Sequence, residues 1–417
     1  MFKKIIITSI IIYIPNQLHF PSSLGVPGIN VFNILYFILF FLYLSRDNKS
    51  TIKSPLSSAL IFYYISVIIA MLFSIGVTSH LTENFTILKN IIVYSSLYFL
   101  VFSLVDNEDD LKYYIKIVYF VVFMMALEII KEKLSFGLSS DKRVAGAFGQ
   151  DLSSANYAGV FVAIFIPLLL QNFLFKSKEF INPKISIGIF IMGVFAIFYT
   201  YSRQAYGSIV ITSVLNLAKR NKIFLITVII LLLNGAYWLP DTVLDRIQGT
   251  QVQSSDTGEE KLDDSTESRF VIWQAAYDNM ITVYPLGVGL NEFQDRLDPF
   301  MPDWIPARDA HNSFILILSE NGIFGFIAFC FLLYKMHSVG RMIKLKSDVE
   351  HVKMLGEGYQ LIVIAVVLGN IYSSTFYSPE VMGNFWILSA LIHKYYFLST
   401  EKTMDSTVIN GNNSGKE

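Results

Sequence analysis

The sequence predicts an all-α integral membrane protein whose chain crosses the bilayer about twelve times. Of the 417 residues, 53% are hydrophobic and only 16% are charged, and the mean hydropathy is +0.50. A soluble chain carries about 25% charged residues, and the apolar residues here recur in runs near the roughly 20 that cross a membrane. The net charge of −1 gives no reason to expect a nucleic-acid partner.

Each predicted span follows from one apolar run. We place the spans near residues 5–22, 29–45, 55–75, 90–105, 113–130, 154–175, 185–201, 205–218, 223–239, 312–335, 357–374 and 384–399. The start of the chain is similar to a signal peptide, with Lys3 and Lys4 ahead of Ile5–Ile14. No small-residue cleavage site follows, so we expect an uncleaved first span.

Two of these runs need a comment. The eighth carries Ser208, Thr212, Ser213 and Asn216, so it must pack inside the bundle. The only cysteine, Cys330, lies within an apolar run, which excludes an internal disulfide framework and a cysteine-based metal site.

Basic residues predict the orientation. With the N-terminus in the cytoplasm, 20 Lys and Arg fall on the inner side and 11 on the outer side, which places both termini inside. A long outer connection, Pro240–Ala310, then lies between spans nine and ten and carries 14 Asp and Glu against 5 Lys and Arg. A loop with this charge suits a cover over a site better than an anchor to anionic lipid.

The long loop divides into two parts. Ser254–Ser268 is polar and acidic, so we expect it to be mobile. Apolar residues then recur at three- and four-residue spacing, which predicts an amphipathic helix over Arg269–Ile281. Gly287 and Gly289 follow no strand and open no helix, so they indicate a turn and not a phosphate-binding loop.

Four residues on the predicted outer side suggest a site. Arg143, Arg203, Arg269 and His311 all fall there, and the connection that carries Arg203 is too tight to let its guanidinium leave the membrane surface. An alternative interpretation is that Arg143 and Arg269 are solvated loop residues and that His311 caps a helix. Together the arginines favour an anionic ligand at membrane depth such as a lipid diphosphate, and a histidine there can deprotonate a hydroxyl.

Several motifs in this region resemble the shared core of the O-antigen ligase and polymerase superfamily. They are SRFVIWQAAYDNMITVYPLGVGLNEF, DAHNSFILILSENGIFG, the Arg-x-x-Gly element at Arg143–Gly146 with Asn156 downstream, and the pair Ser202–Arg203. The resemblance covers about residues 140–330. It divides the chain into N-terminal helices at 1–139, a core at 140–340 that includes the outer loop 240–311, and C-terminal helices with a tail at 341–417.

This resemblance implies a C-type glycosyltransferase of the bacterial inner membrane, active on its periplasmic face. The donor would be a glycan on undecaprenyl diphosphate, and the acceptor either lipid A-core, for a ligase, or another lipid-linked glycan, for a polymerase. It assigns diphosphate binding to Arg143, Arg203 and Arg269, and to His311 the role of base or of a residue that orients the acceptor. No metal or other cofactor is implied.

Two neighbours of His311 are supporting candidates. Asn312 follows it directly, and Glu320 would lie deep in the bilayer if residues 312–335 formed one straight span. Asn321-Gly322 offers a break, after which the true span would be Ile323–Ser338. Glu320 then returns to the interface, as a helix-end residue or as a partner near the site.

A transporter or flippase of lipid-linked sugars is the competing class. Such proteins carry charged or polar groups through the middle of their spans. Here Lys116 and Glu128 are nearly the only clear mid-span charges, and the candidate residues cluster on one side. This distribution favours the enzyme.

Overall fold

Helices make up most of the described residues. The computed structural model describes residues 1–21, 23–25, 30–46, 53–138, 140–149, 154–234, 237, 244, 251–253, 260–262, 264–305 and 309–413. The α-helices are α1 Phe2–Tyr13, α2 Val31–Leu44, α3 Ser57–Ser74, α4 Leu81–Leu104, α5 Glu108–Phe136, α6 Ser154–Leu174, α7 Pro183–Thr200, α8 Arg203–Arg220, α9 Lys222–Leu233, α10 Asp264–Ala276, α11 Phe293–Leu297, α12 Ser313–Lys346, α13 Glu350–Ile371 and α14 Pro379–Asn413. Two short strands, β1 Gln251–Gln253 and β2 Glu260–Leu262, pair antiparallel.

Seven of the helices in the described residues are long and apolar enough to cross a membrane. They are α3, α4, α5, α6, α7, α12 and α13, and α2 and the first part of α9 are shorter apolar helices. A polytopic membrane protein is therefore confirmed. The count of twelve spans stays a prediction, although helices occupy each of the twelve predicted positions.

Asparagine caps explain where several helices begin. The side chains of Asn30, Asn107, Asn182 and Asn312 each accept a hydrogen bond from a backbone N–H of the first turn that follows. These caps satisfy amides that a helix otherwise leaves unpaired. The cap at Asn312 starts α12 directly after His311.

The core lies around α6, which is buried along almost its whole length. Its small residues allow close approach, because a Cβ at Gly159 would lie 2.8 Å from the Thr200 hydroxyl oxygen. Helix α8 packs against α6 and α13, and its Ser208, Thr212 and Asn216 are buried. The polar face of α8 is therefore buried in the bundle, whereas Ile211 and Leu215 on its other face are exposed.

The long outer loop differs from its prediction. Helix α10 begins at Asp264 and not at Arg269, and after Ala276 it widens into a π-helical turn, Tyr277–Ile281. The expected mobile run, Ser254–Ser268, therefore includes a strand and the first turn of a helix. Its residues 254–259 and 263 lie outside the described residues.

Opposite ends of the bundle differ in what they carry. At one end, which we call the basic end, Lys4 pairs with Asp110 at 3.0 Å and Arg46 pairs with Asp106 at 2.8 Å. The other end, which we call the site end, contains the described connections 137–138, 140–149, 201–202, 277–292 and 372–378. All four residues predicted for the site lie at the site end.

Candidate functional site

A sharp turn between α7 and α8 presents Arg203. Tyr201 adopts the left-handed conformation, with φ of 50°, and Ser202 precedes the first residue of α8. Arg203 is half-buried, and its guanidinium donates to the Thr266 hydroxyl on α10 at 3.2 Å. The tight connection expected from the sequence is therefore present, and it holds Arg203 next to the outer loop.

Arg143 lies against this same turn. Its Nε donates to the Thr200 carbonyl oxygen at 3.1 Å, and a terminal nitrogen donates to the Asn156 side-chain oxygen at 2.6 Å. The backbone around it is held by Glu132, whose carboxylate accepts from the amides of Ala145 and Gly146. Arg143 thus fastens the connection 137–149 to the turn that carries Arg203.

Lys133 is a site-end residue that the sequence analysis missed. It is fully buried, and its ammonium group donates to the Ser140 carbonyl oxygen and to the Tyr201 hydroxyl, the latter at 3.2 Å. The available signal was its position one turn before Gly137, which ends α5. Lys133 and Arg143 hold the Tyr201 turn from two sides.

Arg203 and Arg269 line one cavity of about 470 Å³, which we call the arginine cavity. Its volume lies within the roughly 300–1,000 Å³ of ligand pockets. Apart from the two guanidinium groups and a few polar side chains, its walls are apolar and come from α8, α10 and α13. They include Ile211, Phe270, Trp273, Leu368, Ile371 and Tyr372.

His311 lies at the start of α12 in an unusual backbone conformation. Its φ is 47°, in the left-handed region that few residues other than Gly adopt, although His, Asn and Asp do so more often than most. Its Nδ1 is 3.6 Å from a carboxylate oxygen of Asp309, and 38% of its side chain is exposed. The Asn312 side chain caps α12 through the amides of Phe314 and Ile315, so the supporting residue Asn312 fixes the backbone next to the histidine.

Trp273 connects the histidine segment to the arginine cavity. Its indole Nε1 donates to the Ala310 carbonyl oxygen at 2.7 Å, and its ring lies 6.1 Å from that of Tyr372. One face of Trp273 therefore lines the cavity while its N–H holds the residue before His311. Asp309 and Trp273 were both missed as site residues in the sequence.

Helix α12 breaks where Asn321-Gly322 suggested. Gly322 has φ of 64° and ψ of −170°, and the segment 285–290 fills the break. Val288 donates to the Ser319 carbonyl oxygen, Gly289 donates to that of Glu320, and the Ile323 amide donates to Pro285. The glycines are needed here because a Cβ at Gly287 would lie 2.3 Å from the Glu320 carbonyl oxygen.

Glu320 is buried beside this break, with 4% of its surface exposed. Its carboxylate accepts from the Phe293 amide at 3.3 Å, where α11 begins. A carboxylate at a helix N-terminus satisfies amides that lack an intrahelical partner. Glu320 thus contacts the start of α11 from a buried position and not from the interface where the sequence placed it, and its carboxyl group also reaches a second cavity.

This second cavity, of about 360 Å³, also opens at the site end, and we call it the acidic cavity. Asp309 and Glu320 both line it. Its other walls combine aromatic rings and amide side chains, among them Asn90, Tyr157, Asn291, Phe293, Gln294 and Tyr377. Burial, reinforced by the Glu320 carboxylate, raises the pKa of the Tyr377 phenol, which therefore stays neutral and can donate a hydrogen bond.

One carboxylate–histidine cluster has the spacing of a metal site within the described ranges. Glu108, Glu179 and His351 bring ligand atoms within 4.8 Å of one another. The cluster lies at the basic end, and Lys112 already pairs with both of its carboxylates. An ammonium group thus occupies the place of a cation, away from the four predicted residues.

Comparison with known proteins adds to this geometry. No curated protein matches the chain. A family model described as O-antigen ligase matches residues 188–330, a range that contains Arg203, Arg269 and His311 but not Arg143. Over this part of the chain, the resemblance to the O-antigen ligase and polymerase superfamily is confirmed.

Proposed function

We propose that this protein is an inner-membrane glycosyltransferase that moves a glycan from undecaprenyl diphosphate to a sugar hydroxyl, as an O-antigen ligase. The arginine cavity is the observation that carries the proposal. Two guanidinium groups in an otherwise largely apolar pocket suit a ligand with a strongly anionic head and a hydrocarbon tail. A lipid diphosphate has this chemistry.

The arginines would act on the leaving group. Arg203 and Arg269 would bind the diphosphate from two elements, α8 and α10, and Arg143 would support the turn that presents Arg203 through its hydrogen bond to the Thr200 carbonyl oxygen. As the bond between the sugar and the diphosphate breaks, negative charge grows on the departing oxygen. Fixed positive charge stabilises that state more than the ground state, which lowers the barrier. No metal ion is needed in this scheme.

His311 would act on the acceptor. Asp309 lies beside Nδ1 and favours the tautomer with its proton there, which makes Nε2 the nitrogen that would take a proton. The acceptor oxygen forms a bond to the anomeric carbon and the bond from that carbon to the diphosphate oxygen breaks. The hydroxyl proton passes to His311. A base of this kind contributes about 10²–10⁴-fold.

A polymerase of the same superfamily is the alternative, because donor and base would be the same and only the acceptor differs. The lipopolysaccharide gel profile of a deletion strain distinguishes the two. A ligase defect removes all attached O-chain while lipid-linked polymer accumulates. A core that carries a single repeat unit would instead assign the protein as a polymerase.

The proposal also requires the site end to face the periplasm, with both chain termini in the cytoplasm. In a variant whose Cys330 is replaced by Ser, a cysteine at exposed Asp298 should react with an impermeant thiol reagent in intact cells. A cysteine at exposed Asp348, near the basic end, should react only after lysis. Neighbouring Ser347 is buried and a poor probe. The reverse pattern would contradict the outward orientation.

A further inference from the structure

The acidic cavity differs in charge from a phosphate-binding pocket. Among the described residues that line it, two are carboxylates, Asp309 and Glu320, and none is Lys, Arg or His. A phosphate or carboxylate group placed there would lie near the carboxylate of Asp309, and no lysine or arginine among the described lining residues would offset that charge. Electrostatics therefore favour a ligand that is neutral or carries an amine.

The polar groups of the cavity suit a sugar. Asn90, Asn291 and Gln294 offer both donors and acceptors, as a ring with several hydroxyls requires. Tyr157 and Tyr377 add aromatic surface with a polar end, against which the apolar face of a sugar ring can pack. A cavity of about 360 Å³ lies within the range of small-molecule sites.

A buried hydroxyl at the wall supports a ligand there. Ser374 lines the cavity, only 9% of its surface is exposed, and its Oγ has no hydrogen-bond partner among the described residues. Buried polar groups are almost always paired. A hydroxyl of a bound sugar would supply the missing partner.

Asp309 links the cavity to His311. Its carboxylate lines the acidic cavity and lies 3.6 Å from the histidine Nδ1. Since Trp273 ties the next residue, Ala310, to the wall of the arginine cavity, the segment 309–311 lies between the two cavities. A ligand in the acidic cavity is therefore next to the residue proposed as base.

We propose that the acidic cavity binds the sugar that receives the glycan, and that this receiving sugar is uncharged or amine-bearing, not phosphorylated or acidic. The role of the cavity as an acceptor site rests on the proposed transfer reaction, but the binding of a sugar in it can be measured without that reaction. The proposal also limits which acceptors are possible. Whatever lipid carries the acceptor, the sugar unit with the attacking hydroxyl places no anionic group in the cavity.

Photo-crosslinking tests the site. The full-length protein is placed in lipid nanodiscs free of glycoside detergent, with a neutral hexoside that carries a short alkyl chain and a diazirine. We expect labelled peptides from 87–90, 291–294 and 374–377, and competition by unlabelled neutral or amino hexoside. The same hexoside with a phosphate monoester should compete at least tenfold less well. Labelling confined to other peptides, or equal competition by the phosphate ester, would overturn the proposal.

A charge change sharpens the test. Gln294→Lys places a cation at the wall and should weaken competition by the amino hexoside while strengthening that by the phosphate ester, each by about tenfold, the size of one charged hydrogen bond. Gln274→Lys is the matched control, since Gln274 is an exposed glutamine on α10 outside both cavities. If both variants behave alike, the preference comes from overall charge and the assignment of the cavity is wrong.

The crosslinking and transfer results separate the two proposals. Crosslinking in the acidic cavity by a protein that never releases undecaprenyl diphosphate from a lipid-linked donor would leave the sugar site standing and remove the transfer reaction. Transfer by a protein with no crosslinks in the cavity would do the opposite.

Discussion

The two cavities at the site end have opposite chemistry. The arginine cavity has two guanidinium groups and mostly apolar walls, whereas the acidic cavity has two carboxyl groups, amide side chains and aromatic hydroxyls. The segment 309–311 touches both, through Asp309 on one side and the Trp273 bond to Ala310 on the other. This separation suits the proposed reaction between an anionic lipid and a neutral sugar. The arginine cavity favours the anionic head group, and the polar side chains of the acidic cavity can form hydrogen bonds with a sugar.

Replacement of His311 should have the largest effect on the transfer activity, without a matching effect on donor binding in the arginine cavity. His311→Ala removes the proposed base, so transfer should fall by about 10²–10⁴-fold while the affinity for lipid-linked donor stays within about twofold. A group that acts only in the transition state changes turnover and not ground-state binding. In-vitro transfer and donor binding on one preparation measure this.

His311→Asn is the discriminating variant for the same residue. Asparagine tolerates a positive φ and keeps hydrogen-bonding groups, so it preserves the backbone and removes only the base. An active His311→Asn protein would show that the residue serves as a structural end to the loop.

Arg203→Lys should have the next largest effect, and only on the arginine cavity. Lysine keeps the charge but loses the planar fork that pairs with two phosphate oxygens. We expect donor affinity to fall by about 10- to 100-fold, the value of a hydrogen bond to a charged group, with crosslinking in the acidic cavity unchanged. Exposed Arg341 at the basic end provides the control Arg341→Lys. Equal donor affinities in the two variants would mean that Arg203 only anchors α8.

Trp273→Phe should cause the smallest loss of transfer activity, and this loss should involve both cavities. The change keeps the aromatic surface and removes the bond to the Ala310 carbonyl oxygen, which contributes about 1 kcal/mol. Because that bond positions the segment before His311, we expect about a fivefold loss of turnover at saturating donor and acceptor. Exposed Trp304 gives the control Trp304→Phe, which should keep full turnover. A loss of donor affinity alone would show that the two cavities are not coupled through this residue.

The sequence predicted the features that depend on local pattern. Apolar runs indicate helices at the positions where the structure has them, the Ser202–Arg203 connection is tight, and Asn321-Gly322 marks the break in α12. These follow from side-chain periodicity and from the backbone freedom of glycine. The start of α10 was misplaced because the acidic residues before Arg269 suit solvent as well as the first turn of a helix, where they are stabilised by its dipole.

Long-range contacts were not predictable in this way. In the sequence, Lys133 is an ordinary residue near a helix end. Its contact with Tyr201, which lies 68 positions later in the chain, exists only in the folded structure. The same holds for the hydrogen bond from Trp273 to Ala310 and for the acidic cavity, whose walls come from five separate parts of the chain. Nothing in the local pattern of Asn90 or Gln294 indicates that they share a cavity.

The helix break at Gly322 has a consequence for how substrates enter. The segment 285–290 supplies hydrogen bonds to the two carbonyl oxygens and the amide that the break leaves unpaired, and it is joined to α3 by the hydrogen bond from Leu290 to Ala70 and by that from Ser74 to Leu290. Displacement of this segment would leave several buried backbone groups without hydrogen bonds, at a free-energy cost of about 1–3 kcal/mol for each group. This part of the outer loop is therefore a fixed structural element and not a mobile lid. For the proposed reaction, we therefore expect substrates to enter and product to leave without displacement of this segment.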